Sequence, residues 1–151
     1  MPSSTVSLTD YRALAEMRYR LRRFMNFSEE SARKAGVEPQ QHQLLLAIRG
    51  LPADVVPTIR ALAGRLQIQH HSAVELVRRS ADNGLVLKRV SERDRREVLL
   101  EVSPKGLRLL ERLAVAHRTE LRSMAPALVG AIEALVTGRS KTRRTEKSLP
   151  S

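Results

Sequence analysis

One stretch, Ile59 to Val102, changes its hydrophobic period from about 3.6 to 2 part-way along, and few folds accommodate that switch. In TIRALAGRL the apolar residues Ile59, Leu62, Ala63 and Leu66 fall at i, i+3, i+4 and i+7, which is one buried helix face. The turn Gln67-Ile68-Gln69 follows, with Ile68 placed as an apolar plug. Ala73, Leu76, Val77 and Ser80 repeat the spacing in a second helix, and Asn83-Gly84 supplies its C-terminal cap signal. The other face of that helix carries His71, Ser72, Glu75, Arg78 and Arg79. Leu85-Val86-Leu87 and Glu97 to Val102 then read as strands; in the second, Val98, Leu100 and Val102 share one face and Glu97 and Glu101 the other. Between them Ser91-Glu92-Arg93-Asp94-Arg95-Arg96 forms a polar tip with three arginines. Two helices, a tight turn and an arginine-tipped hairpin make a winged helix-turn-helix, predicted over residues 57–103. A short helix with one apolar side and one side of long polar groups suits a DNA major groove, and the hairpin can reach a second groove beside it.

The flanks are helical. Leu8 to Ala35 reads as a long helix, with Thr9 as N-cap, Asp10 in the first turn, and Leu14, Met17, Leu21 and Phe24 in one apolar line. All four aromatic residues, Tyr11, Tyr19, Phe24 and Phe27, lie in it; they read first as core or subunit contact and second as the lining of a ligand cleft. Glu38-Pro39 opens the next helix, which Leu44, Leu45 and Ile48 bury and Gly50 ends. Its lone histidine, His42, reads more readily as a hydrogen-bonded structural residue than as a ligand contact. Leu51 to Pro57 is a loop and Thr58 a cap. Ser103-Pro104 starts a further helix with Leu107, Leu110, Leu113, Leu121 and Met124 in a stripe. Arg108, Arg112, Arg118 and Arg122 are expected toward solvent, partly paired with Glu111 and Glu120. Pro126 should break or kink the helix, leaving Leu128 to Val136 as a last apolar helix. Met1 to Ser7 is a polar leader, and residues 138–151 (GRSKTRRTEKSLPS) read as a disordered basic tail.

Charge and composition narrow the function classes. The net charge of +11 points to a polyanionic partner; the tail supplies +4 of it, and the rest of the chain is still basic. Cysteine is absent, which removes disulfides, thiolate metal sites and thiol redox switching. No apolar run is long enough to span a membrane and the N-terminus lacks a signal pattern, so a cytoplasmic location with no membrane partner is expected. No nucleophile–base set or phosphate-binding glycine loop is present, so an enzyme is not expected. His70 and His71 are adjacent, point about 100° apart on a helix, and lack a third ligand at metal spacing; neither a metal nor another cofactor is expected.

The ordered run TIRALAGRL, SAVELVRRSADNGLV, DRREVLLEV and Ser103-Pro104-Lys105-Gly106 resembles the MarR family of transcription regulators, over roughly Leu8 to Val136. Asp94-Arg95-Arg96 and the strand and helix start that follow are its most specific part. The resemblance implies a mainly α fold with a small β-wing: a single domain, 1–151, with dimerisation helices at 8–35 and 107–136. It also implies a homodimer that binds double-stranded DNA at a near-palindromic site, as a repressor released by a small aromatic or lipophilic acid. His70, His71, Ser72, Val74, Glu75, Arg78 and Arg79 would be the recognition-helix contacts: His71, Ser72, Val74 and Glu75 toward base edges, Arg78 and Arg79, with Arg65, on phosphates. In the wing, Arg93, Arg95 and Arg96 would approach DNA, Arg95 in the minor groove, with Asp94 orienting an arginine by a charge-assisted bond. Tyr19, Phe24 and His42 would line an effector cleft. Glu75 departs from the family pattern, where a polar or basic residue is common. The alternative is a winged-helix module that docks on protein or RNA. Against it, the helix presents His, Ser, Glu and Arg rather than exposed apolar residues.

Overall fold

A computed structural model describes residues 5–137. The expected basic tail, 138–151, and the first four residues of the leader lie outside the described residues. The elements follow in the order α1 (Leu8–Lys34), α2 (Pro39–Arg49), α3 (Ile59–Leu66), α4 (His70–Asp82), β1 (Val86–Val90), β2 (Val98–Val102) and α5 (Pro104–Thr137). The chain is mainly α, with β1 and β2 as a two-stranded antiparallel wing. It divides into two compact units: residues 26–119, and the described residues up to Met25 together with those from Glu120.

The larger unit holds the winged helix. Leu62 from α3, Leu76 and Val77 from α4, Leu100 and Val102 from β2, and Leu44 and Leu45 from α2 join one buried cluster with Leu109, Leu110 and Leu113 of α5. All of these but Leu109 are positions the two hydrophobic periods selected; Val98 and Leu107, also selected, are exposed. Burying a side chain of this size is worth about 1.5–3 kcal/mol, so the alternation that puts Leu100 inward and Glu101 outward fixes the strand register. Val86 pairs with Val102, Lys88 with Leu100 and Val90 with Val98. β1 therefore runs past the predicted Leu85-Val86-Leu87 through Lys88, Arg89 and Val90, while Leu85 itself is buried just before it. The loop before α3 adds a short third edge: the Leu100 N–H donates to the Pro57 carbonyl at 2.9 Å and Thr58 bridges Leu99.

The start of α5 joins three elements. Ser103 Oγ accepts from the Gly106 N–H at 3.0 Å and donates to the Gly84 carbonyl at 2.6 Å. Lys105 Nζ donates to the Asn83 carbonyl at 2.9 Å, at the end of α4. Gly106 packs so closely on β1 that a Cβ there would sit 2.5 Å from the Leu85 carbonyl oxygen.

Several sequence expectations change. The cap of α1 is Ser7, not Thr9: Ser7 Oγ accepts from the Asp10 N–H at 3.1 Å, and Asp10 Oδ2 accepts from the Ser7 N–H at 2.8 Å. This reciprocal box satisfies donors at both positions, whereas Thr9 already lies inside the helix. The same contacts hold the Asp10 carboxyl below its ordinary pKa. α5 continues through Pro126 to Thr137, so the separate last helix is the end of the same one. Proline there removes a single backbone donor, and the neighbours Ala125, Ala127 and Leu128 are good helix formers. Arg108, Arg112, Arg118 and Arg122 are not within 4 Å of Glu111 or Glu120; Arg112, Arg118 and Arg122 stand one or two positions from the acid, where helical side chains do not face each other, and Arg108 lies N-terminal to Glu111, the weaker helical order.

His42 is buried, 3 % exposed, beneath a histidine the sequence reading passed over. The His42 ring lies 5.1 Å from that of His117, which meets Phe27 edge-on at 5.4 Å. His117 Nδ1 is 2.6 Å from the Leu113 carbonyl oxygen and Nε2 is 2.8 Å from Ser28 Oγ. Burial first, and the charge of His117 second, push the His42 pKa down to about 4. The unfolded chain then takes up a proton near pH 6.5 that the folded one refuses until about 4. Stability contributed by neutral His42 is full above 6.5 and is lost as pH falls toward 4. Denaturation of wild type and His42→Phe from pH 7.5 to 4.5 should show a steeper acid loss in wild type, by on the order of 1–3 kcal/mol. Parallel profiles would remove His42 as the source.

Candidate nucleic-acid interface

α3 begins where Thr58 Oγ1 accepts from the Ala61 N–H at 3.2 Å. It ends at Gln67, whose backbone is left-handed, φ 54° and ψ 45°. That residue turns the chain so that the Ile68 N–H reaches the Ala63 carbonyl at 3.1 Å. Ile68 packs against the core, as its apolar character predicts. α4 starts two residues later, with Gln69 at its N-cap position. Ala73, Leu76, Val77 and Ser80 are buried. The opposite face, His71, Val74, Glu75 and Arg78, repeats the i, i+3, i+4, i+7 spacing and is exposed, with His70 and Ser72 exposed in the first turn. Arg65 is exposed in the last turn of α3.

Two cations of α4 differ in setting. Arg78 is shared: it donates to Glu75, and its Nη1 donates to Asp82 Oδ2 at 3.0 Å. The Arg78 hydrogen bond keeps the Glu75 carboxyl below its ordinary pKa, so the face carries a fixed negative charge beside a tethered positive one. Arg79 is half-buried and turns to α2, with its Nε 3.3 Å from Glu38 Oε2.

The wing tip is folded by side-chain acceptors. Ser91 is buried, and its Oγ accepts from the Arg93 and Asp94 N–H groups at 3.2 and 3.3 Å. Asp94 Oδ1 accepts from the Arg96 N–H at 3.0 Å. Asp94 thus shapes the backbone rather than orienting an arginine side chain. A short carboxylate reaches the amide two residues ahead more readily than it reaches a long guanidinium. Arg93, Arg95 and Arg96 are exposed, with no carboxylate within 4 Å among the described residues. A concavity between helices and wing brings Arg60 and His70 together with Asp94, Arg96 and Glu97. Arg60, Lys88 and Arg89 are exposed cations that the sequence reading did not select. Arg60 was recoverable, because it lies off the apolar stripe Ile59, Leu62, Ala63, Leu66; Lys88 and Arg89 were hidden by ending β1 too early.

The expected effector trio is not gathered within either unit. Tyr19 is half-exposed, with the guanidiniums of Arg20 and Arg23 at 5.6 and 5.8 Å from its ring centre, and Tyr19 and Phe24 belong to the smaller unit. His42 is buried in the larger one. Among the described residues no His, Asp and Glu cluster can hold a metal ion, and no helix is long and apolar enough to cross a membrane.

Residues 35–97 match the MarR family. Among solved structures, the MarR family transcription regulator SP03579 is 18 % identical with a TM-score of 0.69, covering 85 % of this chain and 87 % of its own. AbsC, a MarR family transcriptional regulator from Streptomyces coelicolor, is 17 % identical with a TM-score of 0.66, over 81 % and 82 %. A MepR mutant from S. aureus bound to an oligodeoxyribonucleotide is 16 % identical with a TM-score of 0.60, over 80 % and 90 %. At such identities the likeness is one of fold. No curated protein sequence matches the chain.

The wing geometry makes a direct prediction. In Asp94→Ala the Arg96 amide loses its acceptor and should exchange its hydrogen faster, whereas Asp94→Asn keeps an acceptor oxygen and should stay near wild type. Equal exchange in all three proteins would show that Asp94 does not hold the tip.

Proposed function

We propose that this chain, whose winged helix is that of the MarR family, is a transcription regulator that binds duplex DNA as a homodimer. One observation carries the reading: the exposed face of α4 lies in the same unit as a wing tip with three arginines that have no carboxylate within 4 Å among the described residues. α4 enters the major groove, where His71, Ser72 and Val74 meet base edges, Val74 suiting a thymine methyl. Arg95 enters the minor groove, and Arg65, Arg60 and Arg78 meet phosphates. Arg79 is given a lesser part than the sequence suggested, because it is half-buried and turned away from the exposed face of α4 toward Glu38.

Pairing of two copies is supported by apolar side chains left exposed in the smaller unit, among them Leu14, Leu21 and Met25 of α1 and Leu121, Val129 and Ile132 of α5. Two-fold pairing places the two α4 helices in successive major grooves, ~34–36 Å apart on one duplex face. A small aromatic or lipophilic acid that changes this spacing would release the protein as a repressor. Sedimentation at micromolar concentration tests the dimer, and a persistent monomer would defeat the two-half-site arrangement.

Selection of duplexes from a random pool, followed by affinity measured against salt, tests DNA binding. Each phosphate contact should add about −0.9 to the slope of log affinity on log salt. Arg95→Ala should cost on the order of 1–3 kcal/mol, most where A·T pairs flank the half-site. Absence of any selected sequence, or a flat salt profile, would defeat the reading.

Glu75 gives a second, signed prediction. Its carboxylate, held below its ordinary pKa by the Arg78 hydrogen bond, would face a polyanion. Glu75→Gln should raise affinity for non-specific duplex several-fold, while raising affinity for the selected site less. Equal gains on both would mean that Glu75 takes no part in discrimination.

A further inference from the structure

The larger unit has a second basic region, at the C-terminal end of α4. A concavity of about 560 Å³ is lined by Gly36 and Val37 before α2, Gln41 of α2, Asn83 after α4, and Lys105, Arg108 and Arg112 of α5. The three cations stand at i, i+3 and i+7, on one face of α5. The one carboxylate in the lining, Asp82, is engaged by Arg78 at 3.0 Å. Among the described residues neither Arg108 nor Arg112 has a carboxylate within 4 Å. Gln41 is 2 % exposed; its Oε1 accepts from the Glu38 N–H at 3.4 Å, and nothing among the described residues accepts from its Nε2. A buried amide donor left without an acceptor is unusual in a folded protein. Gln41 is part of a lining that also offers two guanidiniums and an ammonium, all of them donors.

We propose that this concavity binds a small polar anion bearing a carboxylate or phosphate. The volume is that of a metabolite-sized site. The donor set selects for negative charge, since Arg108 and Arg112 can each take two oxygens of a planar or tetrahedral anion. Lys105 keeps its contact with the Asn83 carbonyl and contributes field rather than a direct bond. The site is built from the loop before α2 and the last turn of α4, so the ligand contacts the far end of the helix assigned to DNA. The proposal does not rest on DNA binding, because the ligand is titrated in the absence of DNA and either reading can fail alone.

The test is titration of the full chain by calorimetry and by amide NMR, at fixed ionic strength held with chloride, using citrate and inorganic phosphate as separate probes. Saturable binding at one site per chain is expected, with shifts at Gly36, Gln41 and Asn83. Arg108→Gln/Arg112→Gln should weaken it by about tenfold or more. Arg118→Gln, an exposed cation of α5 that does not line the concavity, should leave it unchanged. Tighter binding of citrate identifies a carboxylate ligand, and tighter binding of phosphate a phosphorylated one. Failure of both probes to saturate would overturn the proposal. So would equal loss in the double variant and Arg118→Gln, which would mark diffuse attraction to a basic surface. Because the substituted arginines are exposed, their variants should fold, and an unchanged amide spectrum away from the site checks this.

Discussion

Four consecutive residues, Ser103 to Gly106, set the frame on which the winged helix depends. Ser103 Oγ ties the Gly84 carbonyl to the first turn of α5, and Lys105 ties that turn to the end of α4. Gly106 lets α5 lie against the backbone at Leu85, where any side chain would collide with a carbonyl that has no room to move. The end of α4, the start of β1, the end of β2 and the start of α5 therefore meet within a few ångströms. A larger residue at 106 would force them apart, at a cost on the order of 1–3 kcal/mol, and would change the angle between α4 and the wing. The run Ser-Pro-Lys-Gly is thus more than a helix-start signal.

The charged groups on α4 and on the wing are prepared differently. Arg78 is held by two carboxylates, so its position is set before any ligand arrives. Exposed pairs of this kind are worth only about 0–1 kcal/mol, weak enough for a phosphate to compete. The wing arginines carry no such restraint, and ordering each long side chain on binding costs about 0.5–1.5 kcal/mol. Specific geometry is therefore stored on the helix, and adaptable charge on the hairpin.

Much of the larger unit was legible because its signals are local and periodic. Leu62, Ala63, Leu76 and Val77 are buried as their spacing requires, and Ile68 fills the turn. What was missed acts over distance or through backbone competition. His117 reaches Ser28, 89 positions away in sequence, and packs on His42. A single histidine on a long helix announces neither partner. Thr9 and Ser7 are both good caps, and only the reciprocal bond with Asp10 decides between them. Asp94 sits beside three arginines, which suggested an ion pair, yet a backbone amide at closer reach takes its oxygen. The exposed residues of α4 were legible as a face; the contact of Arg79 with Glu38 was not, because Glu38 lies 41 positions away, at the N-cap of α2.

In the wing, shape and charge belong to different residues. Ser91 and Asp94 bend the tip through acceptor oxygens, while Arg93 and Arg96 give the turn their backbone N–H groups, and the side chains of Arg93, Arg95 and Arg96 have no carboxylate within 4 Å among the described residues. The loop is in effect a mount whose tools are interchangeable. Its three guanidiniums can be replaced one at a time without redrawing the hairpin that carries them. A lineage that keeps the two acceptors can thus vary the charge of the tip on an unchanged scaffold.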